Sequence, residues 1–109
     1  MKIKLEPQKT SLRLSKSESQ GLLKLGTLSE NTIFPNGNEI GFMVTLGNNQ
    51  HFSFEDNQLQ LVLPNQLIQS YKPNKVGLSF EFQCDNSSLH KLVFEVDIKK
   101  APLGAPFSQ

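Results

Sequence analysis

Cysteine, tryptophan and tyrosine are nearly missing from this chain: 109 residues hold one, none and one of them, and 19% are charged. The lone cysteine, Cys84, excludes an internal disulfide and fits a reducing, cytoplasmic setting. Eleven Lys+Arg against ten Asp+Glu leave a formal charge of +1, which removes the global electrostatic argument for a nucleic-acid or membrane-surface protein. No apolar run approaches the ~20 residues a bilayer span needs. The opening Met1-Lys2-Ile3-Lys4-Leu5 lacks the continuous apolar stretch of a signal peptide. No phosphate loop, GxGxxG or HExxH occurs. The expectation is a soluble protein with no membrane partner, no cofactor and no catalytic set, hence not an enzyme.

What the chain does have is alternation in short segments broken by turns. Met1, Ile3 and Leu5 alternate with Lys2, Lys4 and Glu6; Leu12 and Leu14 follow a turn at residues 7–10. Ser15 and Glu18 have capping-box spacing, so a helix of about two and a half turns is predicted to start at Ser15, bury Leu22 and Leu25 and stop at Gly26. Residues 27–34 read as an edge strand, and Pro35-Asn36-Gly37-Asn38 as a turn. Ile40, Phe42, Val44 and Leu46 form a clean stripe. The second half gives Phe52 and Phe54, a hairpin at Asp56-Asn57, and Leu59, Leu61 and Leu63. It continues with a short helix opened by Pro64 and burying Leu67, Ile68 and Tyr71, then strands over Val76 to Phe82 and Leu92 to Ile98. Residues 99–109 lack periodicity and are expected to fray.

The halves, about 1–47 and 50–98, align with each other. A shift of 49 brings Leu12 and Leu14 onto Leu61 and Leu63; past the helix it slips to 48, then to 52, setting Phe42 on Phe94. Each half reads strand–strand–helix–strand–strand. A unit of about 50 residues leaves an apolar face it cannot cover alone. The expected fold is therefore mostly β within the α+β class: one domain, 1–98, whose two units, related by a pseudo-twofold, close into one small barrel with two short helices. The alternative is an open sheet with both helices on one face.

The run Leu61-Val62-Leu63-Pro64-Asn65-Gln66-Leu67, with Val76 to Phe82 and Leu92-Val93-Phe94, resembles the swapped-hairpin unit of AbrB/MazE-type domains, and Leu12 to Glu18 is a looser copy. Residues 1–98 as a whole resemble a family of small bacterial proteins known as a domain of unknown function. That resemblance is carried by Met1-Lys2-Ile3-Lys4, Leu12-Arg13-Leu14 with Ser17-Glu18, Glu30-Asn31-Thr32 with Phe34, Phe54-Glu55-Asp56 and Val76-Gly77. Where that family usually has a cysteine near its end, this chain reads Glu95-Val96-Asp97-Ile98-Lys99. The resemblance implies the fold and supplies no chemistry.

Few residues point to chemistry. Cys84, Asp85 and His90 lie close in sequence, but nothing beside Cys84 would lower its pKa, so a plain loop thiol is preferred. His51 and His90 are expected on the outward phase of their strands, opposite Phe52 and Leu92, and two histidines without a third ligand specify no metal site. Glu55-Asp56 and Glu95 with Asp97 are expected as solvated carboxylates. The pairs Phe52/Phe54 and Phe80/Phe82 read as core rather than as base-stacking platforms. Lys2, Lys4, Lys9, Arg13 and Lys16 form a local basic patch on and after the first hairpin, the surface that contacts DNA in AbrB-type dimers. Arg13 is the sole arginine, and lysines also serve to shield a strand edge. The primary expectation is a non-catalytic binding or scaffold module whose partner is another protein, with a monomer favoured; weak nucleic-acid binding through the patch is the alternative.

Overall fold

A computed structural model describes residues 1–74 and 76–98; the tail at 99–109, where fraying was expected, lies outside the described residues. The first half runs β1 (Lys2–Glu6), β2 (Lys9–Leu14), α1 (Lys16–Leu25), β3 (Thr27–Ile33) and β4 (Glu39–Gly47). The second runs β5 (His51–Glu55), β6 (Gln58–Pro64), α2 (Asn65–Ser70), β7 (Leu78–Gln83) and β8 (Leu89–Val96).

The strands do not close into the expected barrel. They form two four-stranded sheets, ordered β1-β2-β8-β7 and β3-β4-β6-β5. Alternation decides which face of a strand is oily but not which strand lies beside it, and closure would require β1 to pair with β3 and β5 with β7. Those four strands are instead the sheet edges. Side chains stitch them: the Met1 ammonium reaches Glu30 of β3 at 3.0 Å, and the Gln50 side-chain amide donates to the Glu81 carbonyl of β7 at 2.9 Å.

Each sheet takes one hairpin from each half, joined at the centre by a parallel pair, β2 with β8 and β4 with β6. Each helix carries the chain from one sheet to the other. The halves match in hydrogen-bond detail. Leu28 lies opposite Val44 and Leu78 opposite Phe94, so the shift over the last two strands of each half is a uniform 50, not 48 and then 52. The turns agree: Phe34 N–H donates to Asn38 O and Cys84 N–H to Ser88 O, at 2.7 and 2.8 Å. Period-2 stripes superpose at any even shift, so the stripes alone could not fix this register.

The inner faces of both sheets and one side of each helix share a single core. Leu12, Leu14, Leu92, Phe94 and Val96 come from one sheet, Val44, Leu61 and Leu63 from the other, and Leu22 and Ile68 from the helices. Phe42 is partly buried and lines a small apolar cavity of about 20 Å³ with Ile3, Leu12, Val44, Leu61 and Leu92, drawn from both sheets. Helix α1 begins with the capping box: Ser15 Oγ accepts from Glu18 N–H at 3.1 Å, and Glu18 Oε1 accepts from Ser15 N–H at 2.8 Å. Gly26 closes it at φ +79°.

Several apolar residues expected in the core lie outside it. Leu25 is 73% exposed, because in the last turn of α1 it points past the sheets; Leu23 packs against the core instead. In α2, Pro64 is the N-cap rather than the first helical residue, and the single-sided helix buries Ile68 while leaving Leu67 half exposed. Phe54 is exposed and Phe52 only partly buried. Among the described residues no helix is long and apolar enough to cross a membrane.

Candidate functional site

The basic residues divide. Strand register sets Lys2 opposite Arg13 and Lys9 opposite Glu6, placing Lys2, Lys4, Lys9 and Arg13 on the outer face of the first sheet, whereas Lys16 opens α1 beside the groove between the helices. Acids interleave with the cations. Glu95 adjoins Arg13 in the parallel pair, and Asp97 accepts from the Arg13 guanidinium at 3.4 Å, with both side chains more than 40% exposed. Exposed pairs of this kind contribute about 0–1 kcal/mol. Glu55 takes the Ser53 hydroxyl at 3.1 Å, beside the Asp56-Asn57 turn, where both residues have positive φ.

A second feature has more shape. The edge strands β5 and β7 approach at Gln50–Glu81 and at Phe52–Phe82, whose ring centroids are 5.8 Å apart. From that pinch they bound a cleft of about 700 Å³ with Leu5, Phe52, Phe54 and Phe82 as apolar walls and Thr10 and His90 at its base. Phe54 also borders an adjoining hollow of about 530 Å³ walled by Phe34, Pro35 and Ile40. Leu5, Phe34 and Phe54 are 60%, 51% and 57% exposed, so one apolar ribbon runs across both hollows.

The equivalence of the halves provides an internal control on this region. Leu5 and Phe54 occupy matching positions and are both exposed: the inward stripes of β1 and β5 run beyond the part of the core that covers them. At the neighbouring matched positions the halves differ. Ile40, Leu59 and Phe34, on the second sheet and its turn, correspond to His90, Thr10 and Cys84 on the first; Ile40 and Phe34 line the adjoining hollow, whereas Leu59 lines the main cleft with the polar three. Three positions that are apolar on the second sheet are therefore polar and chemically distinctive on the first.

The polar set is cross-linked. Thr10, buried to 3% exposure, shares a 2.7 Å hydrogen bond with His90 Nε2, and His90 meets the Phe52 ring edge-on at 5.4 Å. The Gln8 amide donates to Leu89 O at 2.9 Å, to Ser88 Oγ at 3.2 Å and, more weakly, to Cys84 Sγ at 3.7 Å. His90 thus lies on the inward phase, against expectation: it is two residues from the buried Leu92 and so shares its face, while Leu89 faces out. His51 stays exposed and hydrogen-bonded to Ser53 at 3.2 Å. Cys84, Asp85, His51 and His90 border one cleft, yet among the described residues no group of three His, Cys, Asp or Glu side chains could hold a metal ion.

Sequence reasoning missed the cleft because it assigned Phe52 and Phe54 to the core and misplaced His90. The parity of residues 90, 92 and 94 was the available signal for His90.

A search of curated proteins and of solved structures finds no match to this chain, and so lends no support to an AbrB/MazE-type likeness of its halves. A family model matches residues 1–100, nearly the whole chain, and the protein belongs to that family, one of unknown function (DUF7009).

Proposed function

We propose that the chain is a non-catalytic binding module that docks a partner protein on the ribbon formed by Leu5, Phe54 and Phe34. The observation that carries this reading is the paired exposure of Leu5 and Phe54 at 60% and 57%, at matching positions of the two halves and on either side of a formed cleft. Contiguous exposed apolar surface rimmed by polar groups marks interaction sites on soluble domains. Here amides provide the rim: Gln50 and Gln83 beside one hollow, Asn36, Asn38 and Asn57 beside the other.

The test is selection of a random peptide library displayed on phage against the wild-type chain, followed by titration of enriched peptides against Phe54→Ser and Leu5→Ser. Both substitutions lie on exposed side chains, so the fold should persist, and melting curves check that. At least a tenfold loss of affinity on each variant is expected. No enrichment, or enriched peptides indifferent to both variants, would refute the reading.

A second reading, weak nucleic-acid binding, is favoured by the placement of Lys2, Lys4, Lys9 and Arg13 on one sheet face. Glu6, Glu95 and Asp97 among them reduce the field they project. If this face binds nucleic acid, affinity for duplex or single strands should fall steeply with salt as counterions are released; no binding at low ionic strength excludes it.

A further inference from the structure

We infer that the ribbon's occupant is a single extended peptide segment, apolar at alternate positions and bearing Lys or Arg between them, which pairs its backbone along the free edge of β7. The inference rests on the binding reading above and names the partner's chemistry.

Three observations support it. First, among the described residues β7 has a neighbouring strand on one side only. The turn bond from Cys84 N–H to Ser88 O sets the alternation of the β7–β8 ladder, so Phe82 bonds inward to His90, whereas the backbone groups of Ser79, Glu81 and Gln83 point outward. Second, one of these outward groups already holds an amide: the Gln50 side chain donates to Glu81 O at 2.9 Å, in the place where the N–H of a further strand would lie. The edge is therefore geometrically open to amide donors, and Gln50 occupies only one of its sites. Third, charge is one-sided. Asp85 and Glu81 border the main cleft and Glu39 the adjoining hollow, while among the described residues no lysine or arginine borders either. Lys91 stands across the ladder from Glu81 on the outer face and Asn31 donates to Glu39 at 2.8 Å, so Asp85 is the acid left to face an occupant.

An added strand presents side chains to alternate faces, so every second residue of the peptide would enter the space between Phe82, Phe52, Phe54 and Leu5, and the intervening ones would pass Asp85 at the rim. A helix would offer no backbone groups to the edge.

The experiment uses the full chain and fluorescein-labelled ten-residue peptides read by anisotropy. The parent alternates Phe or Val with Lys. One variant replaces Lys by Glu; two more carry backbone N-methyl groups at every second residue, one in each phase; a fourth rearranges the parent composition into a helical amphipathic pattern. The parent should bind, and N-methylation in the phase facing β7 should weaken it at least tenfold while the opposite phase leaves it within about threefold. The Glu and helical-pattern peptides should bind at least tenfold more weakly, and Phe54→Ser should lower parent affinity by a similar factor. Equal response to the two methylation phases, or equal binding of the Glu peptide, overturns the inference and leaves the binding reading standing, because peptides would still reach the ribbon. Failure of the parent peptide to bind also overturns the inference; failure of the phage selection as well removes the reading beneath it.

Discussion

Leu14 and Leu63 occupy matching positions in the two halves, each fully buried, one beside Val96 in the first sheet and the other beside Leu46 in the second. Truncating either to alanine removes three carbons. At about 0.8 kcal/mol per methylene that is about 2.4 kcal/mol of transfer free energy, and the cavity left behind adds about 1–2 kcal/mol more. Neither residue lines the 20 Å³ apolar cavity, so that space does not ease the collapse. Each variant is expected to lose about 3–4 kcal/mol, and the double variant about 7, against a total of about 5–15 kcal/mol for a domain of this size. With no tryptophan in the chain, urea unfolding is followed by far-ultraviolet circular dichroism. Both single variants should shift the midpoint by similar amounts in one transition with an unchanged slope. A loss below about 1 kcal/mol in either variant, well under the range for buried leucines, would refute the shared core, as would two separated transitions in which one half survives the other.

Three further outcomes follow from particular residues. Gly77→Ala should cost more than Gly26→Ala in the same assay: both sites have φ near +80°, but a Cβ at Gly77 would lie 2.6 Å from the Phe94 carbonyl oxygen, whereas at Gly26 it meets nothing within 4 Å among the described residues, so about 1–2 kcal/mol is expected at Gly26 and at least about 1 more at Gly77. Glu18 pairs with the Met1 ammonium and with Ser15 N–H. Burial alone would raise its pKa, but the bonds from that ammonium and from Ser15 outweigh burial and lower it, while burial of the ammonium is outweighed by its bonds to Glu18 and Glu30, which raise it. A lowered acid contributes stability above its unfolded pKa that is lost as pH falls through the folded one; a raised amine contributes stability below its unfolded pKa that is lost as pH rises through the folded one. Thermal melts should therefore decline below the ordinary Glu range and above that of an α-amino group. Glu18→Gln should flatten both limbs and cost about 0.5–1 kcal/mol near neutrality; unchanged limbs would count against the pairing. Finally, the chain passes from Gly47 to His51 across β6, about 9–10 Å sideways at two strand spacings. Deleting Asn48 and Asn49 leaves two Cα steps, about 7 Å of reach. Size-exclusion chromatography with light scattering should then show a dimer that exchanges halves; a folded monomer would refute this connection geometry.

Local signals in the sequence were legible where one residue type has one physical use. Ser15 with Glu18 fixed the start of α1, Gly26 its end, and the Phe42–Leu46 stripe its strand, because caps and alternation act over a few residues. Lateral neighbours were not legible. The parallel pairing of β2 with β8 joins residues more than eighty positions apart, and nothing in either stripe encodes it. The ribbon was hidden for a related reason: Leu5 and Phe54 continue the inward phase of their strands, and only the finished packing shows that the core ends before it reaches them.

Because each sheet borrows a hairpin from both halves, residues 1–50 leave a ribosome as two half-sheets, with β2 still waiting for β8 and β4 for β6. The newborn segment must keep its leucines from straying until the rest of the message has been read. A chain cut short at the midpoint would be left seeking a stranger's second half, or awaiting a protease.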